Sequence, residues 1–169
     1  MTDLSSASPS PPPQPPARTR IFLVVADETA EMRVALRYAA LRAFYTGGKV
    51  ALLGVIEPPE VQQFAAIEER MEEEAREAAE ALISRLATEV TEICGTVPIV
   101  HLREGTIREQ LIKLLDEEPG ISILVLATGT EQDGPGPLIT ALIGRSDKLR
   151  VPITIVPGSL TNEQIAALA

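Results

Sequence analysis

The residues with the clearest chemical potential lie between Ile121 and Ser146. This segment begins as an uninterrupted apolar run, stops at Thr128-Gly129, passes through a loop rich in glycine and proline, and resumes as an apolar helical pattern. A buried strand that leads through a glycine-rich turn into a helix directs several backbone N–H groups at one spot, which is how α/β proteins bind phosphate. The segment therefore predicts an anion-binding corner.

The loop of this corner also carries features that weaken it as a phosphate site. Pro135 and Pro137 have no N–H, so two backbone donors are missing. Glu131 and Asp133 place negative charge beside a bound triphosphate, at a cost of about 1 kcal/mol or more each at short distance. Two cations that follow the loop would compensate if they turned towards it: Arg145 and Lys148.

Asp27 is the second candidate for a chemical role. It follows the apolar run 20–26, RIFLVVA, which is typical of a central strand covered on both faces. A carboxylate at the end of such a strand can contact a ligand, but an aspartate just before a helix can also cap the helix N–H groups. Both roles are open from the sequence.

Other residues with chemical side chains favour structural roles. His101 is the only histidine and Cys94 the only cysteine, so the pattern predicts neither a metal site nor a disulfide framework. The glutamates between Glu68 and Glu80 occupy one face of a long helical pattern, which is typical of a solvated surface. Common catalytic motifs (GxSxG, a Walker lysine, HExxH) do not occur. We therefore expect no enzymatic activity, with slow ATP hydrolysis left open.

Five apolar runs alternate with helical patterns, and these elements must position the candidate residues. Such alternation predicts right-handed βαβ crossovers and one parallel sheet, whose ligand crevice lies beyond the carboxyl ends of the strands. The residues at those ends are Asp27, Glu57, Gly105 and Gly129. The predicted strands are 20–26, 49–56, Val97 to Leu102, the run that begins at Ile121, and Val151 to Val156.

Capping residues predict where several helices begin. Thr106 with Glu109 predicts a capping box, Thr161 with Gln164 can cap a last short helix, and Pro137 suits a first helical position. A long helix is predicted to have an apolar face from Val61 to Ile93 and to end at Cys94-Gly95. The apolar residues of the first helix recur near helical spacing: Met32, Leu36, Ala39, Ala43 and Phe44.

Length and composition predict three segments. Residues 1–19 form a tail rich in proline and serine, 20–158 form one α/β domain, and 159–169 form a C-terminal tail with a possible short helix. The first tail is interpreted as a solubilising extension, with a PxxP ligand as the alternative. The net charge of -9 argues against nucleic acid, and no apolar run approaches the length of a membrane span. We expect a cytoplasmic protein.

The order of these patterns resembles the universal stress protein family. The resemblance extends over essentially the whole chain from Arg20 to Pro157, and the matching pieces in it are IFLVVADETAEMRVALRYA, VALLGVIEPP, REGTIREQLIKLL, ILVLATG and VPITIVP. The resemblance implies a five-stranded parallel sheet of order 3-2-1-4-5 with helices on both faces, an adenine nucleotide alpha hydrolase-like and Rossmann-like fold. It also implies a homodimer joined through the last strand, Val151 to Val156.

The resemblance further implies a nucleotide site, with ATP or AMP as the ligand and Mg²⁺ for a triphosphate. Asp27 matches the aspartate that approaches adenine and ribose. The family's GxxG, nine residues, Gly-Ser pattern is incomplete, because the residue three before Gly134 is Glu131 and Arg145 follows Gly144. The site residues implied are Ala26, Asp27, Val55, Gly129, Thr130, Gly134, Gly144 and Ser146.

Two hypotheses follow from the sequence. The first is a non-enzymatic, dimeric stress-response binding or adaptor module with a degenerate nucleotide loop, an unknown protein partner and no required cofactor. The alternative is a competent ATP- or AMP-binding protein that uses Asp27 and the loop between Gly129 and Gly144. No nucleic acid or membrane partner is expected in either case.

Overall fold

The computed structural model describes residues 18–58, 65–130, 134–144 and 149–169. In chain order the elements are β1 (Ile21–Val25), α1 (Ala30–Thr46), β2 (Lys49–Ile56), α2 (Ala65–Cys94), β3 (Ile99–Glu104), α3 (Ile107–Glu117), β4 (Ile121–Thr128), α4 (Pro137–Ile143), β5 (Ile153–Pro157) and α5 (Asn162–Leu168). The strands form one parallel sheet of order β3-β2-β1-β4-β5. The predicted fold class and strand order are confirmed.

The core lies on both faces of the sheet, because the side chains of a strand alternate between the faces. In β1, Phe22 and Val24 pack with α1 and α2, whereas Leu23 and Val25 pack with α3 and α4. All four are at most 5% exposed. The prediction that the strands are apolar on both faces is therefore confirmed for the central strand, which is covered by helices above and below.

The third strand begins and ends two residues later than the sequence predicted. The prediction was Val97 to Leu102, and β3 runs Ile99–Glu104. Pro98 has no N–H to donate to the ladder, which delays the start. At the other end, Arg103 pairs with Val55 of β2, so the ladder continues through polar residues that the apolar pattern did not include.

The fifth strand also begins late. The sequence predicted Val151 to Val156, and β5 is Ile153–Pro157. Pro152 cannot donate, but its carbonyl accepts a hydrogen bond from Leu124 N at 3.0 Å, so the chain already lies beside β4 before the strand begins.

The first helix is set by its two ends. Thr29 is the N-cap, and its hydroxyl accepts from Met32 N at 3.2 Å. Gly47 ends the helix in the left-handed region, with φ 64°. The prediction that Phe44 belongs to the apolar stripe was wrong, since it is 58% exposed. It lies about 100° around the helix from buried Ala43, past the edge of the stripe.

The other boundary predictions had mixed outcomes. The capping box at Thr106 and Glu109 was wrong, because Thr106 is the N-cap but its side chain makes no capping hydrogen bond. The capping box at Thr161 and Gln164 is confirmed. Pro137 is confirmed at the start of α4.

The longest helix and the last helix complete the helical covering of the sheet. α2 ends at Cys94 as predicted, followed by Gly95 at φ 74°. The predicted beginning of this helix, Val61, lies outside the described residues. α5 packs against α1 and buries Ile165 to 1% exposure, so the last residues belong to the packed body of the protein.

Candidate functional site

A cleft of about 570 Å³ opens at the carboxyl ends of β1 and β4. These strands are neighbours, and the chain winds outward from them in opposite directions, which is where α/β sheets bind ligands. The walls come from the ends of β1, β2 and β4, the beginnings of α1 and α3, and α4 with the loop before it. The sequence placed the site at this edge, and the structure brings Asp27 and Gly129 together in one cleft.

Asp27 organises the beginning of α1 from within the cleft. Its Oδ1 accepts hydrogen bonds from Thr29 N at 2.7 Å and from the Thr29 hydroxyl at 2.5 Å. Thr29 in turn caps the helix, so Asp27 supports the cap without being the N-cap itself. Asp27 Oδ2 makes no hydrogen bond to the part of the chain that the structure describes. The cap and ligand roles left open by the sequence are thus compatible, because they use different oxygens.

The neighbouring residues of β1 and β2 have their backbone groups in the sheet. Ala26 is 8% exposed, and its N–H donates to Leu53 O at 2.8 Å. Val55 is half-buried and packs on the α3 and α4 side of the sheet, and it is not part of the described lining of the cleft. Glu57, two residues further on, lines the cleft. The ligand roles of Ala26 and Val55 stay predictions.

Glu31 is a cleft residue that the sequence analysis missed. Its Oε1 lies 3.4 Å from the position that a Cβ on Gly129 would occupy, and its Cγ lies 3.2 Å from the corresponding position on Gly158. The glycine at Gly158 therefore leaves room for this side chain, and Gly129 is in ordinary contact with its carboxylate. A sequence signal did exist, since Glu31 lies in the first turn of a helix that begins at the ligand edge, but the direction of its side chain depends on contacts across the sheet.

The described lining of the cleft carries more negative than positive charge. Three carboxylates contribute to it, from Asp27, Glu31 and Glu57, against one guanidinium, that of Arg108. Arg108 lies in the first turn of α3, beside Thr106. Gly105 and the helix that begins at Thr106 were both predicted from the sequence, but Arg108 was not named as a site residue, although the beginning of every crossover helix lies at the same edge of a parallel sheet.

The glycine-rich loop contributes unevenly to the cleft. Gly129 lines it, and Gly134 lines a shallower depression beside it, with φ 89°. Thr130 and Gly144 are exposed and line neither. The other residues named for this loop lie outside the described residues: Glu131, Asp133, Arg145, Ser146 and Lys148.

His101 and Cys94 lie apart from the cleft. Burial lowers the pKa of His101 below its usual value, which favours the neutral imidazole. Cys94 is 8% exposed, with Sγ 3.3 Å from both the carbonyl and the hydroxyl oxygen of Thr96. Within the described ranges, no group of three or more metal-ligating side chains could hold a metal ion, and no helix is long and apolar enough to cross a membrane.

The parallel sheet and the cleft at its point of reversal define a doubly wound, Rossmann-like α/β domain. The sequence profile of the universal stress protein family matches residues 18–144, and the chain belongs to this family. Comparison with curated protein sequences found no match.

Solved structures agree with this assignment at the level of the fold. Universal stress protein UspA from Lactobacillus plantarum has a TM-score of 0.68 and 14% identity, covering 83% of this chain and 99% of its own. A family member from Arabidopsis thaliana with AMP bound has a TM-score of 0.58 and 12% identity, covering 82% and 91%. The Archaeoglobus fulgidus protein in complex with dAMP has a TM-score of 0.54 and 18% identity, covering 83% and 98%.

Proposed function

We propose that this protein is a non-enzymatic binding module of the universal stress type, whose cleft accepts a nucleoside or nucleoside monophosphate and disfavours a triphosphate. Ligand binding in the cleft would be the signal, and a protein partner would respond to the ligand-bound form. Relatives of the same fold hold AMP or dAMP, which supports an adenine nucleotide as the ligand class.

The observation that carries the proposal is the position of Glu31. Its carboxylate lies beside Gly129, where the loop after β4 begins. This is the loop that would hold phosphates, so a bound phosphate would meet a like charge at short range. At intermediate dielectric, such a contact costs about 1 kcal/mol or more, and the cost rises with each phosphate added. A nucleoside avoids this penalty.

The loop before α4 supports the same conclusion. Pro135 and Pro137 line the cleft but have no N–H to donate to a phosphate. Arg108 is the one cation in the described lining, and it lies across the cleft at the start of α3.

Calorimetry with adenosine, AMP and ATP plus Mg²⁺ tests the proposal. Adenosine and AMP should bind, ATP should bind no more tightly than AMP, and Asp27→Ala should weaken adenosine at least tenfold, since it removes the carboxylate oxygen left over after the cap. Thr29→Ala is the matched control, because it removes the N-cap that Asp27 supports, at about 1 kcal/mol of stability, but keeps the Asp27 carboxylate. Micromolar ATP affinity that disappears in Asp27→Ala would contradict the proposal.

The rival function is competent ATP binding through Asp27 and the Gly129 to Gly144 loop. It is favoured by one observation, the retained glycines at Gly129 and Gly134, the second of which leaves the backbone open to close approach. The calorimetric experiment separates the two functions, since the rival expects ATP to bind more tightly than AMP.

The module is proposed to act as a homodimer joined at β5. This strand is at one edge of the sheet, so one side of its ladder is available for pairing with another chain. Ile155 is 39% exposed, as expected for an apolar side chain that a partner covers. The family resemblance points to the same strand.

Ile155→Lys should therefore shift the protein from dimer to monomer in sedimentation velocity runs. A lysine at this position would bring like charges together across the proposed interface. The matched control is Val100→Lys, which places the same charge on β3, the opposite edge strand, at a side chain that is 45% exposed. An unchanged dimer with Ile155→Lys, or a monomer with Val100→Lys, would show that β5 is not the interface.

A further inference from the structure

Two aromatic side chains stand exposed together at the end of α1 that is farther from the cleft. Phe44 and Tyr45 are 58% and 60% exposed. Their ring centroids lie 5.3 Å apart at an interplanar angle of 74°, an edge-to-face arrangement. The chain has only three phenylalanines and two tyrosines. Adjacent exposed rings from such a small set form an apolar patch of the kind found at interaction sites.

The N-terminal tail enters the fold next to these rings. Lys49 N donates to Arg20 O at 2.8 Å, which fixes the residue before β1 beside the turn that follows α1. The contact is close, since a Cβ on Gly48 would lie 2.6 Å from the same Arg20 oxygen and 3.2 Å from the Thr46 hydroxyl. Arg20, just before β1, therefore lies beside Lys49, which is only four residues after Tyr45.

The tail has the composition that aromatic surfaces recognise. Residues 9–16 read PSPPPQPP. Such a sequence favours the polyproline II helix, which is already extended and so loses little entropy when it docks on aromatic rings. This run accounts for six of the fourteen prolines in the chain, and it ends four residues before Arg20, which the structure holds beside the turn that follows α1.

The distances are compatible with docking in the same chain. Tyr45 is four residues from Lys49, a separation of at most about 14 Å along the chain. Pro16 is four residues from Arg20, about 12 Å in polyproline II geometry, and residues 9–16 extend about 25 Å in all. The nearest prolines therefore reach the rings without a long loop, and the cost of closing the short connection is small.

We propose that the proline-rich segment 9–16 packs on the Phe44–Tyr45 pair of the same chain and covers this end of α1. The pyrrolidine rings would lie against the exposed faces of the two aromatic side chains. The segment thus has a specific docking surface on the domain, and its release would expose both the PxxP sequence and the aromatic pair to a partner.

NMR spectroscopy of the full chain tests this surface. We expect NOEs between proline side-chain protons of residues 9–16 and the ring protons of Phe44 and Tyr45. They should be lost, with a shift of both ring resonances, when Pro12, Pro13, Pro15 and Pro16 are replaced by serine. Tail amides should also shift in Phe44→Ala, whose side chain is exposed and whose loss leaves the core intact.

Ile67→Ala is the matched control, since Ile67 is a 52% exposed apolar residue on α2 and should leave the tail amides unchanged. If the ring resonances of Phe44 and Tyr45 kept their chemical shifts when the prolines were replaced, the proposal would be overturned. So would NOEs that appear only between differently labelled chains in a mixed sample, because the tail would then dock on a second copy.

Discussion

Glu31→Gln will raise the affinity for AMP about tenfold. The substitution keeps the size of the side chain between Gly129 and Gly158 and removes its charge. Relief of one repulsion near the phosphate amounts to about 1.4 kcal/mol at intermediate dielectric, which corresponds to that factor in the dissociation constant. Titration calorimetry at constant ionic strength measures the change, and ATP should gain more than AMP because it carries more charge.

Two comparisons make this result specific. Adenosine has no phosphate, so its affinity should stay within about twofold in the same variant. Glu28→Gln is the matched substitution, because Glu28 lies three residues away and its carboxylate pairs with Arg85 at 3.1 Å, outside the described lining. Equal gains for adenosine and AMP, or a gain with Glu28→Gln, would rule out a local phosphate effect. If neither the parent protein nor Glu31→Gln bound AMP, the proposed function itself would be contradicted.

Gly158→Ala will cost about 3 kcal/mol of the free energy of unfolding. A Cβ at this position would lie 2.1 Å from the Thr128 carbonyl oxygen, well inside contact distance. The oxygen belongs to the backbone and the Cβ is fixed directly to it, so neither atom can rotate away, and the end of β5 must separate from the end of β4. The Gly158 N–H would then also lose its 3.3 Å hydrogen bond to the Thr128 hydroxyl.

Urea denaturation of the two variants Gly158→Ala and Gly120→Ala provides the measurement. At Gly120 a Cβ would meet only Ile21 Cδ1, at an ordinary 3.4 Å, so that variant should stay within about 0.5 kcal/mol of the parent. Equal stability of both variants would mean that Gly158 lies farther from the Thr128 carbonyl oxygen of β4 than in the structure.

The sheet was predictable because each strand is apolar and bounded by strong signals. The bounds of β2 were predicted to the residue, since Gly48 precedes it and Pro58 follows closely. The errors at β3 and β5 both involve proline. An apolar pattern counts Pro98 and Pro152 as ordinary residues, whereas the ladder depends on a donor that they lack. Strand order came from the family resemblance rather than from periodicity.

The location of the site was also predictable, but its chemistry was only partly so. The sequence placed Asp27 and Gly129 at one edge, because parallel strands end together. It did not predict Glu31, since that side chain passes close to Gly158, which leaves space for it, before its carboxylate reaches the side of Gly129. Gly158 is thirty residues from Thr128. A contact of this kind depends on β4 and β5 pairing and cannot be read from local spacing.

The length of α1 has an electrostatic consequence. The helix begins at the cleft with Thr29 and ends beside the aromatic pair, and its seventeen residues span about 25 Å. That distance is about three Debye lengths at physiological ionic strength. The electrostatic potential of a phosphate bound in the cleft is therefore largely screened at Tyr45. The two ends of the domain respond to ions as separate surfaces.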